Sequence, residues 1–286
     1  TSTVAAWRPD VLVCDETDFG AMLAAEAAGL PAATVLVTAS GRFVRPDLVA
    51  PFLDKVRAEH GLPADPGLAA VNRHLVVSPF PPTLRDPAAA WPPVSKAFRS
   101  VRADALTPAA DPEPPTVYVT LGTVFGVESG DLFARALAAL RELPVRAIVT
   151  VGSDVDPAEL GAPPPNVRVE RFVPQAEILP RCRMVVSHAG SGSVLGALAY
   201  GLPMLLLPLG ADQPMNAARC ETIGVARVLD AVTARPSEIA GAIADLLASD
   251  PHRRAAAQVC HEIATLADPA DAVARIEALG RGTKPH

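Results

Sequence analysis

The sequence predicts an α/β protein built on doubly wound parallel sheets. Short apolar runs alternate with helix-like stretches all through 116–249. Residues 8–40 repeat the pattern on a smaller scale, and such a strand–helix–strand unit implies a parallel sheet with helices on its faces. Glycines and polar residues gather just after the apolar runs, which is the edge where open parallel sheets hold ligands.

The elements follow in order. "DVLVC" at 10–14 is a buried strand, "GAMLAAEAAGL" a helix closed by Gly29 and Pro31, and "ATVLV" the next strand. Residues 46–73 read as helices with a break at Gly61–Gly67, "HLVVS" at 74–78 as a strand, and "PFPPTLRDP" as a proline-rich exit loop. That makes about three strands in residues 1–106, fewer than the roughly five or six of an ordinary sheet. An open sheet edge, or a missing earlier piece, is expected there. Residues 107–115, "TPAADPEPP", are Pro-rich, acidic and without apolar period, and form the expected linker.

Beyond the linker the pattern starts afresh. "TVYVTLG" is a strand and "SGDLFARALAALREL" an amphipathic helix with Ser129 as its N-cap. "RAIVTVG", "NVRVERF" and "RMVVSH" are strands, "SVLGALAYG" a helix, "PMLLLPLG" a strand, "QPMNAARCETIG" a helix and "VARVLD" a strand. Helices near 236–249 and 251–279 complete the chain. The expected division is a domain at 1–106, the linker, a ligand-binding domain at 116–250, and a C-terminal helix and tail at 251–286 crossing back to the first domain.

Composition narrows the function. A net charge of −6 over 286 residues argues against nucleic acid as the main partner. Cys14, Cys182, Cys220 and Cys260 lie far apart with no C-x-x-C, so neither a zinc site nor a disulfide framework is suggested. They read as reduced thiols of a cytoplasmic protein. No uninterrupted apolar run reaches the roughly 18–20 residues of a spanning helix, and the start carries no signal-peptide pattern. The first residue is Thr1 rather than Met, which fits a processed or incomplete chain.

Four loops on one sheet edge carry groups that could converge: Gly122-Thr123, Phe172-Val173-Pro174-Gln175, His188 through Ser193, and Asp212-Gln213. Gly190 and Gly192 let the backbone approach a ligand, and Ser191 and Ser193 bring hydroxyls to a helix N-terminus that suits a phosphate. His188 could donate to the same phosphates. Phe172 could stack on a base while the main chain of Val173 reads its edge. Asp212 and Gln213 can accept from and donate to vicinal hydroxyls, as in sugars. Taken singly, each residue has an ordinary explanation: a turn glycine, a core Phe172, a helix-capping Asp212. The case rests on their joint spacing.

At these residues the sequence resembles a family. "F-V-P-Q-x-x-I-L" at 172–179, "H-A-G-S-G-S" at 188–193, "G-L-P" at 201–203 and "P-x-x-x-D-Q" at 208–213 are similar to the donor signature of inverting, metal-independent, nucleotide-sugar-dependent glycosyltransferases that modify natural products and antibiotics. The resemblance implies the GT-B fold, two Rossmann-like domains facing a cleft, with the N-terminal one incomplete in this chain. It implies transfer of a sugar, with inversion, from a nucleoside diphosphate to a hydroxyl of a small hydrophobic acceptor, with no metal or other cofactor. Phe172 matches the base-stacking aromatic, Val173 the residue whose backbone reads the base, and Gln175 a further donor-binding position. His188 matches the diphosphate-binding histidine, and Gly190, Ser191, Gly192 and Ser193 the phosphate loop. Gly122 and Thr123 match the small turn at the diphosphate, and Asp212 and Gln213 the pair on the sugar. Asp15 matches the aspartate that orients the catalytic histidine. The expected partners are a small-molecule donor and acceptor, with the protein a monomer or homodimer.

Two departures stand out. No residue matches the family's general-base histidine, which lies in a Gly-His pattern after its first strand. Gly196 stands where many members carry a glutamate on the ribose hydroxyls, so a dTDP-sugar is favoured over a UDP-sugar. A catalytically inactive, glycosyltransferase-like helper or binding protein is the alternative. A dinucleotide-dependent oxidoreductase is a further one: Asp212 lies 22 residues after Gly190, but Leu195 stands where that motif needs its third glycine.

Overall fold

Apolar runs here are short, so each strand is short and burial depends on how the strands are layered. The structure, a computed structural model, describes residues 2–89, 91–99, 113–122, 130–152 and 155–282. Its contacts divide the chain into two units, one formed by Thr1–Ser100 with Leu266–His286 and the other by Val101–Thr265. Residues 107–112 of the expected linker, and Ser129, lie outside the described residues.

The first unit opens with α1 (Ser2–Trp7), β1 (Leu12–Asp15), α2 (Phe19–Ala27), β2 (Ala32–Val35) and α3 (Pro46–Glu59), followed by β3 (Leu75–Ser78) and β4 (Ser95–Ala97). The strands pair in parallel in the order β1-β2-β3-β4. Asp18 caps α2 by accepting from Ala21 N at 2.9 Å, and Gly29 ends the turn after it at φ +66°. The sequence reading stops at about three strands and misses β4. Its three residues, Ser-Lys-Ala, carry no apolar signal, and only pairing with β3 makes them a strand.

The second unit runs β5 (Thr116–Thr120), α4 (Leu132–Arg141), β6 (Arg146–Thr150), β7 (Val167–Glu170), α5 (Gln175–Ile178), β8 (Met184–Ser187), α6 (Ser191–Ala199), β9 (Met204–Leu206), α7 (Gln213–Thr222), β10 (Ala226–Val228), α8 (Pro236–Ala248) and α9 (Asp250–Thr265). Its parallel sheet has the order β10-β9-β8-β5-β6-β7. The N-cap of α4 is Asp131, two residues beyond Ser129, and its side chain pairs with Arg135 rather than capping. One face of the sheet packs Val117, Val119, Val149 and Leu205 against Leu137 and Leu140 of α4 and Ile239 and Ile243 of α8.

The single C-terminal helix expected near 251–279 is two helices, α9 and α10 (Pro269–Arg281). Pro269 has no N–H to continue a helix, and the residue before a proline is pushed to extended backbone. Asp268 is accordingly at φ −69°, ψ 147°, and its carboxylate caps α10 by accepting from Ala270 N. α10 belongs to the first unit, where Ala272 and Ile276 pack with Val35, Leu75, Val77 and Phe98. Among the described residues no helix is long and apolar enough to cross a membrane.

Candidate functional site

Strand order in the second unit fixes where a ligand can sit. β5 is flanked by β6 on one side and β8 on the other, so the chain winds outward in both directions from the β5–β8 pair. The loops leaving these two strands part company there and open a crevice at their carboxyl ends. A cavity of about 430 Å³ occupies it, a size suited to a small ligand. Gly122, Phe172, Val173, Gln175, His188, Gly190, Ser191, Gly192, Ser193, Asp212 and Gln213 all line it. Thr123 lies outside the described residues.

His188 closes β8 and is 8% exposed. Two glycines make room for it. A Cβ at Gly122, which sits at φ +77°, would come within 2.7 Å of the imidazole, and a Cβ at Gly190 within 2.5 Å of its Nε2. Gly190, expected to let the backbone approach a ligand, thus also accommodates the histidine ring, as does Gly122. Gly192 alone of the three has open space above it. Nδ1 of His188 is buried and has no partner at good geometry. Burial pushes the imidazole below the usual histidine range, and a main-chain hydrogen bond at Thr120 and the Asp212 carboxylate oppose that shift.

α6 starts directly beyond His188. Its first intrahelical bond runs from Val194 N to Gly190 O at 3.0 Å, so the amides of Gly192 and Ser193 precede the ladder and have no acceptor within the helix. They lie on the cavity wall. An anion placed there meets N–H donors and the positive end of a helix nine residues long.

The hydroxyl of Ser191 is committed elsewhere. It donates to Asp212 Oδ2 at 2.6 Å, and Asn216 Nδ2 donates to the same oxygen at 2.7 Å and to Ala189 O at 3.1 Å. Asp212 sits at the N-cap of α7, yet its carboxylate makes no capping bond. The network turns that carboxylate toward the cavity and leaves Oδ1 for a ligand. Gln213 is held by Leu209 N and Gly210 N, which donate to its Oε1 at 2.8 and 3.1 Å. That fixes the amide orientation and leaves Nε2 as the donor on offer.

Phe172 is 70% exposed, so it is no core residue: its ring stands on the lip of the cavity. Gln175 Oε1 would lie 2.5 Å from a Cβ at Gly196. The carboxamide thus fills the space a longer side chain at Gly196 would need.

Sequence reasoning missed part of the wall. Tyr118, Thr120, Thr150, Gly152 and Arg171 also line the cavity, with Tyr118 Oη and Thr150 Oγ1 2.8 Å apart and buried. The signal was present. Tyr118 and Thr120 alternate on one face of β5, and Thr150 pairs with Thr120 in register, so the ends of strands mattered as much as the loops after them.

Asp15 lies in the first unit, at the end of β1. Its Oδ1 accepts from Thr17 N at 2.7 Å and Thr17 Oγ1 at 2.5 Å, and these bonds hold the carboxyl below its usual range. The neighbouring Glu16 is buried under Val37 N, Thr38 N and Thr38 Oγ1, which all donate to its Oε1. Among the described residues no group of three or more His, Cys, Asp or Glu could hold a metal ion.

Known proteins resemble this chain in sequence and in fold. The family model described as erythromycin biosynthesis protein CIII-like, C-terminal domain, matches residues 134–279. The elloramycin glycosyltransferase of Streptomyces olivaceus is 36% identical over 171 residues, a match spanning 58% of this chain and 42% of that protein. The 4'-demethylrebeccamycin synthase of Lentzea aerocolonigenes is 30% identical, over 94% of this chain and 74% of its own length. A spinosyn rhamnosyltransferase solved in complex with thymidine diphosphate superposes with a TM-score of 0.77 at 25% identity, covering 96% of this chain and 75% of that one. The parallel-sheet architecture is that of GT-B glycosyltransferase structures.

Proposed function

The chain belongs to the erythromycin biosynthesis protein CIII-like family, and on that premise we propose that its second unit binds a nucleoside diphosphate sugar for transfer, with inversion, to a hydroxyl of a small apolar natural product. The observation that carries the reading is the cavity at the β5–β8 switch point, where an aromatic lip, a helix N-terminus beside a buried histidine, and an acid–amide pair converge. Phe172 stacks on the base. The amides of Gly192 and Ser193 and the imidazole of His188 receive the diphosphate and stabilise it as it leaves. Asp212 Oδ1 and Gln213 Nε2 hold the sugar hydroxyls. Asp15 orients the base that takes the acceptor proton; no residue of this chain is matched to that base.

Within this reading the donor is a dTDP-sugar. Gln175 reaches over Gly196, so a neutral carboxamide stands where a glutamate would face the ribose. A carboxylate that loses a 2′-hydroxyl partner is costly, whereas an amide discriminates less. The related spinosyn enzyme was solved with thymidine diphosphate. Calorimetric titration with dTDP, UDP and NAD⁺ tests both levels. We expect dTDP to bind more tightly than UDP by up to about tenfold, roughly 1.4 kcal/mol, and NAD⁺ not to compete. Tighter UDP binding would overturn the donor assignment alone, whereas preferential NAD⁺ binding would overturn the whole reading.

A further inference from the structure

Two alanines beside the donor cavity hold a backbone conformation that favours glycine. Ala189, between His188 and Gly190, lies at φ +68°, and Ala211, just before Asp212, at φ +52°. An L-residue takes up this left-handed region at a cost, and keeps it where its surroundings enforce it. Ala189 is fully buried, at the point where the chain leaving β8 turns into α6. Its conformation therefore sets the direction of the His188 ring before it and of the amides that open the helix after it.

The fastening comes from the helix that follows. Asn216, in the first turn of α7 and 1% exposed, directs its Nδ2 at three acceptors: Ala189 O at 3.1 Å, Ser191 Oγ at 3.0 Å and Asp212 Oδ2 at 2.7 Å. A carbonyl and a carboxylate only accept, and Ser191 gives its own proton to Asp212, so the nitrogen end of the carboxamide is the one that fits. One side chain thus grips the left-handed turn at Ala189 and the acid that follows Ala211. Asn216 itself does not line the cavity, so it acts through the residues it holds. We propose that Asn216 is a positioning residue for the diphosphate. It locks Ala189 in its left-handed turn, and without that lock His188 and the amides of Gly192 and Ser193 no longer face one anion. The proposal rests on the donor-site reading of the same cavity.

Glycine reaches a φ of +68° unaided, so Ala189→Gly should make the lock dispensable. Calorimetry with dTDP and UDP reads the effect. In the parent, Asn216→Leu, close in size and without a donor, strands the buried Ala189 carbonyl and should weaken binding about tenfold. In an Ala189→Gly background the same substitution should cost less than about threefold. Lost packing beneath α7 would cost as much in one background as in the other, so the difference between them reads the turn. Asn216→Ser, which is too short to span to Ala189 O, carries the same comparison should Asn216→Leu fail to fold, and circular dichroism checks folding of each variant. Equal losses in the two backgrounds, or no loss in the parent, overturn the proposal and leave the donor site standing. A parent that binds neither dTDP nor UDP overturns the donor-site reading and the proposal with it.

Discussion

His188→Ala is expected to weaken nucleoside diphosphate binding by about 1–3 kcal/mol, the range for a charge-assisted hydrogen bond, while binding of the bare nucleoside changes little. Gly190→Ala should do nearly the same. Gly190 lies at φ −61°, ψ 142°, a backbone any residue adopts, so an added methyl meets no conformational strain. It meets the imidazole instead, 2.5 Å from Nε2, and must drive the ring out of its slot. The two variants fail through one cause, so the double variant should be no worse than either single one. Calorimetry with dTDP and thymidine on the parent and the three variants measures these effects; a Gly190→Ala protein that binds dTDP normally would place the ring elsewhere. The same histidine predicts a pH effect. Burial holds its pKa below the ordinary value of about 6.5, and a bound diphosphate favours the cation. Binding then takes up a proton, so affinity rises as pH falls through the bound-state pKa and levels off below the free-state one. Unliganded folding runs oppositely: the depressed pKa leaves the unfolded chain the better proton acceptor, so stability is full above about 6.5 and declines below it.

A larger loss is expected at Arg57. Its side chain is 4% exposed, forks onto Glu26 at 2.8 and 2.9 Å and donates through Nε to Pro63 O at 2.6 Å. These bonds tie α2, α3 and the loop after α3 together. Arg57→Met keeps most of the bulk and leaves the Glu26 carboxylate, only 10% exposed, with Arg73 as its remaining cation. Removing one partner of a buried pair costs about 3–5 kcal/mol because the other charge stays buried. Both tryptophans, Trp7 and Trp91, lie in the first unit, so fluorescence during urea unfolding reports that unit. A midpoint close to that of the parent would contradict the assignment. Glu26→Gln in the Arg57→Met background should recover part of the loss by removing the stranded charge. Burial pushes the Glu26 pKa up, but its two arginines outweigh that and hold it below the usual value. The parent's stability from this pair is present above the ordinary carboxylate range and is lost as pH falls through the depressed pKa.

The central strands were legible because they are short apolar runs: "TVYVT" and "MVVS" each end at a glycine-bearing turn, as a buried parallel strand does. The edge of the site was legible for the same reason, since loops after parallel strands converge by topology. What could not be read is whatever pairs residues far apart in the sequence. Gly122 and His188 are 66 residues apart, and nothing in either segment says that one vacates space for the other. Gln175 over Gly196, Asn216 under Asp212 and Arg57 on Glu26 are side-chain placements that only packing decides. β4 and the break before Pro269 were missed or blurred for another reason, that apolar period is a poor guide where an element is three residues long or where helix gives way to helix.

The first sheet depends on chain from both ends of the sequence. Arg99 N donates to Ala267 O, Phe98 bridges Ala267, and α10 covers the face carrying Val35, Leu75 and Val77. A ribosome delivers residues 2–99 before α10. Throughout elongation that apolar face is bare, while everything from β5 to α9 already has its packing partners within one contiguous stretch. The half made second is thus the half that can mature first, and the earlier half must wait, exposed to aggregation and to chaperones, for α10 to emerge.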